Sequence, residues 1–223
     1  EGSLSLLLQC SLYADLNIAS DGQAQERAEL LLEILTPVAK TYPSEMGVLS
    51  TSQSIQCFGG YGYCEDFPAE QYYRDVRIHP IHEGTTGIQS QDLLGRKITM
   101  HNGKALALLV EEMKATIAEA QASPELAPYA KALGQKMMLT QEMLDFLMPF
   151  AQAGDYERFL SDATIFMDFF STLVIGWQWL KMGVKAKELS MTGGGGFKDE
   201  FLDSTLHTMR FFFTYEVPRM DGL

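Results

Sequence analysis

Apolar side chains recur at intervals of three and four along most of this chain, the period of an amphipathic helix. Leu4, Leu7, Leu8, Leu12, Leu16 and Ala19 predict a first helix that is under way from the opening residues, and the turn formers of NIASDGQ end it. Ala28, Leu31, Leu32, Leu35, Val38 and Tyr42 predict a second, in which Pro37 should kink or break the helix. Pro43-Ser44-Glu45 opens a third that runs to about Cys57. After a long insert the period returns at Leu94, Ile98, Ala105, Leu109 and Met113 and continues to about Ala122. Ser123-Pro124 restarts the chain, because a proline in the first helical turn lacks only a donor that would be unpaired there anyway.

The second half reads as helix throughout. Leu133, Met137, Leu144 and Leu147 mark one helix, ended by Pro149 and Gly154. Phe159, Ala163, Phe166, Phe170, Val174, Trp177 and Val184 mark a long aromatic-rich helix to about Leu189, whose Phe and Trp stripe is core material. TGGGGFKDE is a flexible link, and Phe201, Thr205, Met209 and Phe212 carry the last helix before Pro218. No alternating strand pattern of useful length occurs, so the fold class is all-α. The break near 100–125 divides the chain into residues 1–102, which carry the insert, and residues 103–223.

Composition narrows the partners. With 223 residues, 46% hydrophobic and 21% charged, the chain is long enough and apolar enough to bury a real core. Seventeen basic against 29 acidic residues give a net charge of −12, which repels phosphate backbones, so nucleic acid and anionic membrane are poor partners. No apolar run approaches the length of a membrane span, and the opening residues lack the basic-then-apolar pattern of a signal peptide. Three cysteines, Cys10, Cys57 and Cys64, suit free thiols in a reducing compartment. The chain opens without Met inside an apolar-periodic segment, which reads as a piece of something longer.

The insert CFGGYGYCEDFPAEQYYRDVRIHPIHEGTTGIQ, residues 57–89, breaks the helical monotony. A turn needs one or two glycines; Gly59, Gly60 and Gly62, interleaved with aromatics, either allow backbone to approach a ligand closely or simply supply the positive φ of a structural turn. His79 and His82 before Glu83 do not make a metal site, since Pro80 prevents a regular helix from aligning the two imidazoles. His82 reads as a packed, half-buried ring. Gly84, Thr85 and Thr86 after Glu83 offer amides and hydroxyls at a helix start, groups that bind an anion or the polar edge of a cofactor. The residues alone therefore give a candidate site with a carboxylate base and no substrate.

The whole stretch resembles the C-terminal signature of the acyl-CoA dehydrogenases. Gln56, Gly59, Gly60, Gly62, Tyr63, Asp66 and Asp75 stand in register with that signature, and Gln71 departs from it by replacing the usual Lys or Arg. The family's Glu-Gly-Thr catalytic loop is matched by Glu83-Gly84-Thr85. Beyond residue 87, GIQSQDLLGRKI and the tail resemble a larger subgroup, similar to the 3-methylmercaptopropionyl-CoA dehydrogenases. Its members add a helical domain after the ordinary bundle. The resemblance implies an incomplete acyl-CoA dehydrogenase helical bundle followed by a second antiparallel helical bundle.

For chemistry, the resemblance implies α,β-dehydrogenation of an acyl-CoA thioester to a trans-2-enoyl-CoA, with FAD as hydride acceptor and Glu83 as the base. An ordinary carboxylate, near pKa 4.3, is a weak base for a carbon acid, so a dry acyl pocket must close over it. Gly84 would lie beside the acyl chain. Thr85, Thr86 and Gly87 match positions that touch FAD of the same subunit, although Gly87 stands where many relatives carry Gln. Gln56, Gly59 and Gly60 match positions that touch FAD of a neighbouring subunit.

The implied partners are an acyl-CoA substrate, electron-transfer flavoprotein or a similar acceptor, and further copies in a homodimer or higher homo-oligomer. The implied location is the bacterial cytoplasm. The family's N-terminal and middle domains and one bundle helix would lie outside these residues. The fragment should then be inactive alone, retain no FAD, and show an apolar face on the Leu4–Leu16 helix. The alternative is a non-catalytic helical scaffold on which the insert merely joins bundles.

Overall fold

The computed structural model describes residues 1–223, which form helices and turns with no strand. Ten α-helices follow one another: α1 Gly2–Ala19, α2 Gly22–Phe58, α3 Gly60–Tyr63, α4 Ala69–Val76, α5 Thr86–Asp92, α6 Met100–Gln121, α7 Ala127–Gln152, α8 Tyr156–Leu160, α9 Ala163–Met191 and α10 Asp199–Phe211. Wider π turns at Leu93–Lys97 and Phe212–Glu216 continue α5 and α10, and a 3-10 turn, Val217–Gly222, closes the chain. The all-α reading is correct.

Helix α9 is the axis. Phe166, Met167, Phe170, Val174, Trp177 and Leu180 are all buried, on more than one face of the helix. A helix that is apolar nearly all round must be surrounded, and α9 packs against α1, α2, α5, α6, α7 and α10. One continuous cluster of buried side chains runs from Leu6 on α1 to Met220 in the terminal turn, so both halves of the chain share a core. Ion pairs reinforce this: Arg27 on α2 meets Glu111 at 3.0 Å and Glu112 at 2.8 Å on α6, and Lys104 meets Glu26 at 2.5 Å.

Three local expectations are corrected. The second and third helices are one, α2, with Pro37 and Pro43 inside it. A proline in a helix interior costs about 3 kcal/mol, and α2 offsets that by packing against α1, α4, α5, α6 and α9 along its length. The segment from Leu94 to Ala122 is not one helix: His101, Asn102 and Gly103 adopt left-handed backbone, φ 49°, 57° and 80°, and re-aim α6. The insert is partly helical, through α3, α4 and the start of α5.

The leucine stripe of α1 takes the less usual direction. Leu6, Cys10 and Tyr13 are buried, while Leu4, Leu7, Leu8, Leu12 and Leu16 are exposed, Leu8 at 62% and Leu12 at 50%. The apolar face expected on this helix is present.

Candidate active site

The Glu83 loop is built on the middle of α2. The Lys40 ammonium donates to the carbonyl of His79 and to the carbonyl of Gly84, each at 2.6 Å. One helical turn further along, the Glu45 carboxylate accepts a short hydrogen bond from the Thr86 hydroxyl. Backbone closes the loop on itself, Thr86 N–H donating to the Pro80 carbonyl at 3.2 Å and His82 N–H to Ile78 at 3.1 Å. Thr85 is the N-cap of α5, its hydroxyl oxygen accepting from Ile88 N–H at 3.3 Å.

Between these anchors Glu83 adopts φ 50°, a left-handed conformation that costs a non-glycine residue roughly 1–2 kcal/mol. Such strain persists only where the surroundings over-determine it. Gly84 follows with φ 94°, a backbone conformation that favours glycine, and a Cβ built on it would displace the Gln89 amide. Glu83 itself is exposed. The dry pocket that the chemistry requires is not closed over it by these residues.

The His79 and His82 rings lie 5.6 Å apart, and His82 Nδ1 engages the Ile78 carbonyl at 2.9 Å. His82 is exposed, which corrects the expectation of a half-buried ring: the loop tip that projects Glu83 carries His82 out with it.

The glycine turn lies elsewhere. Gln56 is sixteen residues beyond Lys40 on α2, about 24 Å along the axis at 1.5 Å per residue. One chain therefore does not bring Gln56, Gly59 and Gly60 together with Glu83, Gly84, Thr85, Thr86 and Gly87. The glycines also differ in kind. A Cβ on Gly62 would strike the Ile55 carbonyl and Phe58, so that glycine serves internal packing; Cβ atoms on Gly59, Gly60 and Gly87 would meet nothing within 4 Å. Gly60 and Gly87 have ordinary φ values, so nothing inside this chain demands glycine there. Open backbone of that kind fits an external group, such as a flavin dinucleotide, lying against it.

The larger cavities are away from the loop. One of about 690 Å3 is lined by Glu125, Lys187, His207 and Arg210, and one of about 580 Å3 by Leu4, Leu8, Leu12 and Phe201. A smaller cavity of about 190 Å3 adjoins the loop's support: Glu45 shares it with Thr41, Asp168, Glu216 and Arg219. Burial, and then the Glu45 carboxylate, push the Asp168 carboxyl above its ordinary range. Lys40, Glu45 and Gln89 carry no motif, and sequence reasoning missed them as site residues; for Lys40 and Glu45 the signal is a polar side chain beside the apolar stripe of α2.

No helix is long and apolar enough to cross a membrane. Residues 8–98 match the family model described as "Acyl-CoA dehydrogenase, C-terminal domain", and residues 109–223 match that described as "Acetyl-CoA dehydrogenase C-terminal like". The chain is 33% identical over 214 residues to 3-methylmercaptopropionyl-CoA dehydrogenase of Ruegeria pomeroyi, covering 95% of this chain and 36% of that protein. It is 29% identical to a broad-specificity linear acyl-CoA dehydrogenase of Mycobacterium tuberculosis, with 95% of this chain and 36% of that one covered. It thus spans about a third of the length of these relatives. Among solved structures, Caenorhabditis elegans ACDH-11 in complex with C11-CoA superposes with a TM-score of 0.74 at 22% identity, over 92% of this chain and 32% of that one. On its sequence, this chain belongs to the acyl-CoA dehydrogenase family.

Proposed function

We propose that these residues form the base-bearing C-terminal part of an FAD-dependent acyl-CoA dehydrogenase that converts an acyl-CoA thioester to its trans-2-enoyl product. The observation that carries the reading is Glu83: a carboxylate in left-handed backbone at an exposed loop tip, strapped from below by α2. In the whole enzyme its carboxylate removes the proton α to the thioester, a task for which a placed base contributes about 10²–10⁴-fold. The Glu83 backbone N–H donates to the thioester carbonyl oxygen, where charge develops in the transition state. Gly84 leaves room for the acyl chain. Bound FAD supplies the hydride acceptor.

Thr85, Thr86 and Gly87 are the residues we assign to the flavin of the same subunit, and Gln56, Gly59 and Gly60 to that of a neighbour. The separation of the two groups along α2 supports a split assignment, since one helix can present its middle to one cofactor and its C-terminal end to another in a homo-oligomer. Residues 1–102 form the bundle segment with the catalytic loop and 103–223 the additional helical domain. Electron-transfer flavoprotein or a similar acceptor would reoxidise the flavin, and the bacterial cytoplasm is the compartment that suits three free thiols.

The test is Glu83→Gln in the full-length protein. Dehydrogenation is lost while flavin absorbance and melting temperature stay near wild type; full activity in that variant would refute the reading and favour a scaffold. The 223-residue chain alone, titrated with FAD and then an acyl-CoA, shows no bleaching of flavin absorbance.

A further inference from the structure

We propose that Lys40 is the positioning residue for Glu83, acting as a cationic staple that holds the catalytic loop in its strained form. This rests on the reading of Glu83 as base. Lys40 stands on α2, 39 residues before His79 and 44 before Gly84, and no motif includes it. Its ammonium donates to two carbonyls, His79 and Gly84, which bracket the turn containing His82 and Glu83. Two charge-assisted bonds from one donor fix the distance between the ends of the turn, which is the quantity that sets the direction of its tip. Glu83 has φ 50°, a left-handed value that costs a non-glycine residue energy, and the staple lies on either side of it.

The Glu45–Thr86 bond fastens the downstream end of the same loop to the same helix, so Lys40 and Glu45 together make α2 the bed of the base. The residue's charge is what matters: a neutral apolar side chain of the same length fills the space but leaves both carbonyls without their donor. A carboxylate displaced by about 1 Å loses on the order of 10²-fold in rate, because its near-attack geometry is lost, while Gly84 is the one residue of this loop assigned to the acyl chain. The loss therefore falls on kcat and not on KM.

Two measurements test this, and they fail separately. The first uses this chain without flavin and follows backbone amide exchange. Lys40→Met speeds exchange of the Thr86 amide, which closes the loop on Pro80, by about 10-fold or more, and leaves α9 core amides unchanged. Wild-type protection across residues 79–86 in that variant overturns the staple. The second uses the flavin-loaded full-length enzyme. Lys40→Met lowers kcat by about 10–100-fold with KM within about twofold, and Lys40→Arg recovers part of it. An unchanged kcat, or a change confined to KM, overturns the positioning role. Lys40→Gln, polar and helix-compatible, carries the same outcomes if the Met variant does not fold. Glu83→Gln, run alongside, reports on the base itself: if it retains turnover the catalytic reading fails, while the exchange measurement still decides the staple.

Discussion

The Ser5 hydroxyl donates to Gln178 Oε1 at 2.7 Å and joins α1 to the middle of the central helix α9. Gln178 is 1% exposed, and its Nε2 has no partner. A half-satisfied buried amide makes the acceptor side sensitive. Ser5→Ala leaves both ends of that amide unpaired and costs about 1–3 kcal/mol. The double variant S5A/Q178M removes the polar pair altogether and recovers most of the loss. Urea unfolding of the two variants and wild type checks the order.

A second bond, fully buried, leaves α9 from the neighbouring residue. Trp177 Nε1–H donates to the Thr116 hydroxyl at 2.9 Å, both residues buried, tying α9 to α6. Thr116→Val keeps the shape and orphans the indole N–H, and it destabilises by about 1–3 kcal/mol; Thr116→Ser stays close to wild type. Thermal melts with matched near-ultraviolet spectra measure both.

Lys97 on the first π turn is buried and paired with Glu33 of α2, which is partly exposed. Burial holds its ammonium below the ordinary lysine range. Removing only the carboxylate strands a buried cation, whereas removing the cation leaves Glu33 free to reach water. Glu33→Ala therefore lowers stability more than Lys97→Met, and a double-mutant cycle in urea gives the sign.

Partial desolvation of Asp168, which keeps an exposed face, and then the Glu45 carboxylate across the shared cavity raise its carboxyl above the ordinary range in the folded protein. A raised folded value makes ionisation unfavourable to folding, so stability is favoured below the unfolded pKa, about 3.9, and falls as pH rises through the folded value. Asp168→Asn accordingly raises the melting temperature at neutral pH, and the gain fades toward acid. Melts of the two proteins across that range would show a pH-independent difference if this cause were mistaken.

The exposed leucines of α1 form an apolar face with no partner inside the chain. The 223-residue chain is expected to self-associate through it. Leu8→Lys with Leu12→Lys leaves unfolding near wild type, since neither residue is buried, and shifts sedimentation toward monomer.

Much of the fold was legible because helical period survives in a single sequence: the aromatic stripe of α9, with Phe166, Phe170 and Trp177, is buried as its spacing implied. The stripe of α1 carried the same signal and faces outward, because period reports that a face is apolar and not what covers it. At Pro37 the helix is not broken, because a local cost near 3 kcal/mol was outweighed by contacts from helices distant in sequence. At the site, the Glu-Gly-Thr-Thr run was visible as a motif, while Lys40, Glu45 and the left-handed turn at Glu83 were not.

The sequence by itself determined the helical class, the family and the identity of the loop's chemical groups, since these depend on residue type and on spacing within one segment. Only the tertiary structure decided that α2 is one helix, that the glycine turn and Glu83 sit far apart along it, and that a lysine forty residues away holds the loop. Those relationships depend on which segments share a core and on hydrogen bonds between them, and no periodicity within a segment encodes either.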